Sequence, residues 1–312
     1  MADRPSRSLV LYGDGLARLV NPTLDHLHSF ASRASCGFLS LPRAPSSETE
    51  NSRIEREFAE LLDAVECYNL CAREVIEDES LEKRAVPTIS ERFMGMKAAI
   101  ITSNASLKSF GGKLGITMLQ WDGLIDNDHS LTDLQLLASE LLKLLGFQEG
   151  KMLDTSQFDL IFVYVGADEK VMHLKDIELI NGLVGELMHI AQPGTDIGSR
   201  LHTSVIMSYG TALEDDNSKF SVSDAKQKNN FGVPLLFPRQ SYMMKGGKPR
   251  ADVRHHCPML VAQWQNAVTR KDMVKVFSFR DFNENGGILA IPADRFLHEV
   301  AFKLWKASKY GA

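Results

Sequence analysis

A chain of 312 residues, 44% hydrophobic and 24% charged, is long enough to bury a large core as one big domain or two ordinary ones. Its 35 Lys and Arg against 40 Asp and Glu leave a formal net charge of -5, which excludes a general electrostatic field for nucleic acid or an anionic membrane surface. Any anion site must therefore be local, and the longest apolar runs, FDLIFVYVG and HTSVIMSYG, fall far short of the roughly 20 residues that a membrane helix needs.

The opening MADRPSRS passes straight into the strand-like run SLVLYG without the hydrophobic region of a secretory signal, so a cytoplasmic protein is expected. NPTLDHLHSFASRAS then predicts a helix with Asn21 as its cap and Pro22 at the first helical position. GFLSL reads as a short second strand, and residues 52 to 78 as one amphipathic helix. Within it Cys67 and Cys71 stand one turn apart, but no second pair at zinc-ligand spacing accompanies them, and four cysteines in so long a chain form no disulfide scaffold. Helix packing is their expected role.

KAAIIT, residues 97 to 102, predicts a strand, followed by a helix over NASLKSFGGKLG and another strand in ITMLQW. SLTDLQLLASELLKLLGF reads as a helix, FDLIFVYV as a buried central strand, DIELINGLVGELMHIA as a helix and TSVIMSY as a strand. Residues 213 to 256 form a long irregular segment rich in Asn, Ser, Lys, Gly and Pro, of the kind that carries function or stays disordered. Order returns with PMLVAQW, MVKVFSF, ILAIP and a last helix over PADRFLHEVAFKLWKAS. This alternation predicts an α/β fold with a mainly parallel central sheet and helices on both faces.

Two short stretches carry candidate chemistry. Asp14 in YGDGL ends the first strand, at the carboxyl edge where open α/β sheets gather ligands, although Gly-Asp-Gly is equally a turn sequence. Ser47 in PSSETEN stands three residues before Glu50, an S-x-x-E pattern that predicts a capping box. The same address serves catalysis, because a helix N-terminus offers free N–H groups and a favourable dipole to a phosphate.

Taken in order, these stretches resemble the alkaline phosphatase superfamily, and within it the cofactor-independent phosphoglycerate mutase branch, particularly its archaeal type. YGDGL with NPTLDHLHSFASRASCGFL is similar to the branch's opening strand, metal-binding Asp-Gly and Pro-x-Leu-Asp helix. PSSETEN resembles its Pro-Gly-Ser-Asp-x-Ala-Asn nucleophile motif, with Ser47 in the serine position and Asn51 retained. MGMKAAIITSNASLKSFGGKLGITML resembles the later strand, Lys-Gly helix and second strand, and VGADEKVMH its Asp-Glu-Ala-Gly-His metal motif.

The resemblance implies a serine nucleophile, Ser47, and metal ligands Asp14, Asp168 and His173 with a late histidine, His255 or His256. Asp168 and His173 are one residue further apart than the motif has them, and the late histidines lie closer to Pro258 than in the family's His-x-x-x-Pro. Where a second metal would find Asp-His, TSVIMSYGTA has Ser208 and Tyr209, whose neutral hydroxyls are poor replacements around a divalent cation. Manganese, magnesium or zinc is therefore expected as one ion rather than two, or not at all. Glu214, Asp215 and Asp216 read as a solvated acidic loop. In MMKGGKPRADVRHH, Lys245, Lys248, Arg250 and Arg254 would engage a phosphate together with Asn51, or else form a solvated loop.

Residues 52 to 94 leave room for a reduced helical insertion in place of the mutases' substrate-binding cap, so phosphoglycerate mutase activity is not carried over. Two functions remain open. One is a metal-dependent phosphohydrolase or phosphotransferase acting on a small phosphorylated metabolite. The other is a pseudoenzyme of the same fold that binds a ligand or a protein partner. Neither nucleic acid nor a membrane is an expected partner.

Overall fold

A computed structural model describes residues 6–45, 47–74, 87–120, 131–166, 173–211, 220–222, 244–245, 248–250, 252–254 and 256–308. In chain order the elements are β1 (Arg7–Gly13), α1 (Asp25–Ala31), β2 (Ser35–Ser40), α2 (Glu50–Leu61), α3 (Val65–Glu74), α4 (Ile89–Arg92), β3 (Ala98–Ile101), α5 (Ala105–Lys113) and β4 (Thr117–Leu119). There follow α6 (Leu131–Leu144), the hairpin strands β5 (Phe147–Gln148) and β6 (Lys151–Met152), β7 (Leu160–Val165), α7 (His173–Ile190), α8 (Asp196–Arg200) and β8 (Leu201–Met207). The chain continues through a second hairpin, β9 (Met244–Lys245) and β10 (Lys248–Pro249), to β11 (Met259–Trp264), α9 (Phe279–Asn285), β12 (Leu289–Pro292) and α10 (Phe296–Lys303).

Eight strands form one sheet in the order β12-β2-β11-β8-β1-β7-β3-β4, and every pairing is parallel except the two made by β11. Alternation along each strand sends its side chains to two faces. Leu9 and Leu11 of β1 and Ile161 and Val163 of β7 meet α1, α6 and α7 on one face, while Val10, Tyr12, Leu160, Phe162 and Tyr164 meet α2, α5 and α10 on the other. β1, β7 and β8 are buried throughout: β7 is apolar toward both faces, whereas β1 and β8 also bury polar residues in their first halves, where Ser8 Oγ and His202 Nδ1 lie 3.1 Å apart. Their carboxyl ends lie on one edge, together with those of β2 and β12, and the N-terminal half of α2 reaches the same edge.

Local chemistry moved several boundaries. The first helix starts at Asp25 rather than at Pro22, because the Asn21 side chain accepts from the Thr23 N–H at 2.9 Å and from the Thr23 hydroxyl at 2.6 Å, closing a polar turn that competes with helix. The single helix expected over 52 to 78 is divided: Asp63 takes a left-handed φ of 49°, α2 stops at Leu61, and α3 begins at Val65. MVKVFSF is not a strand. The Lys275 and Val276 N–H groups both donate to Asp281 Oδ2 at 2.7 Å, which takes two donors that a ladder would need. In the 52–94 stretch, Ile54, Phe58, Leu61 and Leu62 are core residues packed against the sheet, so α2 is a layer of the main fold. Among the described residues no helix is long and apolar enough to cross a membrane.

Candidate functional site

Asp14 follows β1 directly, its N–H donating to Val165 O at 2.8 Å, and is 6% exposed. The next residue, Gly15, has a φ of 71°, a left-handed conformation that glycine adopts without steric cost, and this turns its N–H onto Ser208 Oγ at 2.9 Å. Ser208 comes just after β8, the neighbour of β1. Its hydroxyl donates to Asp14 Oδ1 at 2.6 Å and also accepts from the Gly210 N–H at 3.2 Å. The serine found where a metal ligand was looked for thus stands beside Asp14 and acts as a hydrogen-bond donor to it. Tyr209 turns away: its ring packs on Phe220 with centroids 4.8 Å apart, and the Arg18 guanidinium lies 5.5 Å from its centroid.

The cation at Asp14 is an arginine. Arg53, one turn into α2, donates from Nη1 to Oδ1 at 3.0 Å and from Nη2 to Oδ2 at 2.6 Å, the two-pronged match of guanidinium to carboxylate. Tyr164, at the end of β7, donates its hydroxyl to Oδ2 at 3.0 Å. Each carboxylate oxygen therefore receives two donors. Arg53 is in turn held by Glu50, at 2.6 Å from Nη2 and 3.2 Å from Nε, and by the fully buried Glu57 at 3.1 Å from Nη1. Thr211 donates to Glu50 at 2.9 Å, so the segment after β8 is tied to the start of α2.

Burial by itself raises the Asp14 carboxyl, but the charge and hydrogen bonds of Arg53, with those of Ser208 and Tyr164, outweigh it and hold the group below the usual carboxylate range. Burial would lower Arg53, whereas Asp14, Glu50 and Glu57 raise it, so it stays charged. Glu57 is raised, since its desolvation exceeds the attraction of Arg53, Arg254 and Arg56. Tyr164 is raised well above the phenol range by burial and by the Asp14 charge, which fixes it as a donor.

A divalent cation at Asp14 would need carboxylate lone pairs facing an open space. Here they face a guanidinium and two hydroxyls, and the residues present do not fit a metal. Among the described residues no group of three or more His, Cys, Asp or Glu is arranged to hold one. Asp168 and His255 lie outside the described residues, and His173 opens α7 with a side chain that is not described. His256 is partly buried and pairs through its backbone with Ser221 in an isolated bridge.

The N-terminus of α2 is built differently from the expectation. Thr49, not Ser47, is the cap: its Oγ1 accepts from the Ser52 N–H at 3.2 Å, and Glu50 turns to Arg53 instead of closing a box. Ser47 is exposed, two residues before the cap. The N-terminus of α5, capped by Asn104 through the Leu107 N–H at 2.9 Å, opens onto the same place. Between the two lies a cavity of about 370 Å³ lined by Thr49, Glu50, Asn51, Ile54, Asn104, Ala105 and Ser106. Two helix N-termini turn their partial positive charge toward it. Of the residues expected here, Asn51 lines this cavity and Asp14 joins it through Arg53 and Glu50.

The basic residues of the 245–254 segment are placed elsewhere. Lys245 and Arg250 both bind the buried Asp294, Lys245 at 2.8 Å and Arg250 at 2.8 and 2.9 Å. Arg254 is buried, donating to Cys257 O at 3.0 Å with Glu57 3.6 Å away. Lys248 belongs to β10 and its side chain is not described. Sequence reading missed Arg53, Tyr164, Thr49 and Asn104. ENSRIEREF does place Arg53 three residues after Glu50 and four before Glu57, an ion-pair spacing on one helix face, but nothing in it says that Asp14 is the third acid.

No protein-family model matches the chain, and no curated protein does. Solved structures do. The PH0037 protein from Pyrococcus horikoshii is similar with a TM-score of 0.56 at 12% identity, over 99% of this chain and 99% of that one. The cofactor-independent phosphoglycerate mutase from Thermoplasma acidophilum DSM 1728 aligns with a TM-score of 0.48 at 10% identity, over 96% of this chain and 99% of its own. A protein in the alkaline phosphatase superfamily from Vibrio parahaemolyticus aligns with 0.49 at 8% identity, over 97% and 67%. Identities this low speak for fold and leave activity to be argued from the site. In fold the chain is similar to the PH0037 protein, and it has the mainly parallel sheet with helices on both faces that the alternation of its segments predicts.

Proposed function

We propose that this chain is a binding protein on a phosphohydrolase-like scaffold, which holds a small phosphorylated molecule at the N-termini of α2 and α5 without metal-dependent turnover. The single observation that carries this reading is the bidentate Arg53–Asp14 pair, with the remaining acceptor positions of Asp14 taken by Ser208 and Tyr164. A guanidinium supplies fixed positive charge to the site. It neither lowers the pKa of a serine hydroxyl as a coordinated metal does nor accepts a proton from one. Supporting the ligand class, the cavity beside Asn51 and Asn104 combines two helix N-termini with amide and hydroxyl side chains, which suits phosphate oxygens.

The competing reading keeps Ser47 as nucleophile and recruits one divalent metal through Asp168, His173 and His255 or His256. Its support is the order of the motifs along the chain and the hydroxyls at the start of α2. Calorimetric titration with a panel of small phosphoesters, with and without EDTA, separates the two, alongside phosphate release in manganese, magnesium or zinc. Saturable binding that EDTA leaves unchanged, with no phosphate released, is the expected result. Metal-dependent release that disappears in Ser47→Ala would overturn the binding-protein reading in favour of catalysis.

A further inference from the structure

We propose that a second cavity, where the ends of β2 and β12 meet the last turn of α2, is a binding site for a small primary alkylamine, with Glu60 as the counter-ion of its ammonium group. This cavity has a volume of about 270 Å³ and is distinct from the one at the helix N-termini, with no lining residue in common. Leu41, Pro42, Val253, Pro292 and Ala293 give it apolar walls, which suit a short aliphatic stem.

Its polar lining is unequally satisfied. Lys245 and Arg250 are already paired with Asp294, and Lys245 also has Asp63 at 3.6 Å, so the charge of each cation is met by an acid, although Arg250 Nε is a buried donor without a partner among the described residues. Glu60 is the opposite case. It is 6% exposed and lines the cavity, yet its carboxyl has no hydrogen bond or ion pair among the described residues. A buried carboxyl without a partner is costly in either protonation state, and most costly as the anion. Arg56 on the same helix relieves it only through its charge and makes no hydrogen bond to it, because that guanidinium is held by Glu48 at 2.7 and 2.9 Å. Asp252, exposed at the rim, adds negative charge. What the cavity lacks is one cation, carried by something small enough to enter between the apolar walls.

Proton linkage sharpens the test. Desolvation pushes the Glu60 carboxyl up to about 7, with Asp294 adding to the rise and Lys245, Arg56 and Arg250 opposing it. An alkylammonium stays charged throughout the neutral range. Binding near pH 7 must therefore expel the Glu60 proton, and affinity must fall roughly tenfold for each pH unit below that value.

The experiment is calorimetric titration of the full chain with n-butylammonium at pH 8 and pH 6, with n-butanol and n-butyrate as controls. Glu60→Gln is run in parallel, and the pH 7 titration is repeated in buffers of different ionisation enthalpy. Saturable binding of n-butylammonium at pH 8 is expected. It should weaken about tenfold at pH 6, release about half a proton per ligand at pH 7, and lose both the affinity and the proton release in Glu60→Gln. Thermal unfolding of Glu60→Gln confirms that the variant is folded. No saturation at millimolar n-butylammonium, equal binding of n-butanol, tighter binding of n-butyrate, or unchanged binding by Glu60→Gln would each overturn the proposal. None of these results bears on the phosphoester site, which shares no residue with this one.

Discussion

Replacing Arg53 by Met tests the central pair most directly. Methionine keeps much of the aliphatic volume of the arginine stem on a helix where that stem is packed, so the change is chiefly one of charge. The Arg53 and Asp14 side chains are 5% and 6% exposed. Glu57 would retain Arg254 at 3.6 Å and Arg56 at 3.9 Å, but Asp14 would keep only the neutral donors Ser208 and Tyr164. Breaking a buried pair by removing one partner costs about 3–5 kcal/mol, which at this chain length lowers the melting temperature by roughly 5–8 °C. Asp14→Asn in the Arg53→Met background removes the stranded charge and should recover about 2 kcal/mol, so the double-mutant cycle is strongly non-additive. Urea unfolding of the native chain, both single variants and the double variant gives the coupling. Manganese at millimolar concentration should stabilise Arg53→Met and leave the native chain unchanged at this site, because only the variant presents free Asp14 oxygens. A cost for Arg53→Met below about 1 kcal/mol, or additive single variants, would refute the reasoning.

Other outcomes follow from neighbouring contacts. Tyr164→Phe deletes one neutral donor to a charged acceptor and should cost about 1.5–3 kcal/mol by urea unfolding, with the larger loss above the Asp14 pKa, where the carboxylate is charged. Because the Asp14 pKa is lowered on folding, its stabilisation is complete above the unfolded carboxylate range and is lost as pH falls through the folded value, which acid titration of stability in native and Asp14→Asn chains will show. Glu60 has the opposite sign: raised to about 7, it makes the native chain lose stability as pH climbs from the unfolded carboxylate range to about 7. Glu60→Gln should therefore be near neutral at pH 4 and stabilising by up to about 3 kcal/mol at pH 8. Thr49→Ala should cost about 1 kcal/mol as a lost cap, whereas Ser47→Ala should change stability by less than about 0.5 kcal/mol, and reversal of that order in thermal unfolding would return the cap to Ser47.

By itself the sequence determined the layered α/β fold, because burial of β1, β7 and β8 on both faces favours apolar runs, and SLVLYG, FDLIFVYV and the VIM of HTSVIMSY supply them between helical segments. It also marked Asp14 as a strand-end carboxylate, and the resemblance put Ser208 and Tyr209 at the position of a ligand pair, of which the structure brings Ser208 to Asp14. Local competition lay beyond its reach. The Asn21 turn and the Asp281 side chain claim backbone donors that periodicity assigns to helix and strand, and a side chain's choice among nearby N–H groups leaves no periodic trace. Only the tertiary structure decided what neutralises Asp14. Arg53 and Tyr164 lie 39 and 150 residues away along the chain; α2 brings Arg53 to Asp14, and the pairing of β1 with β7 brings Tyr164. Spacing within one segment encodes which residues share a face of that segment, whereas the identity of a buried charge's partner is set by which segments pack together.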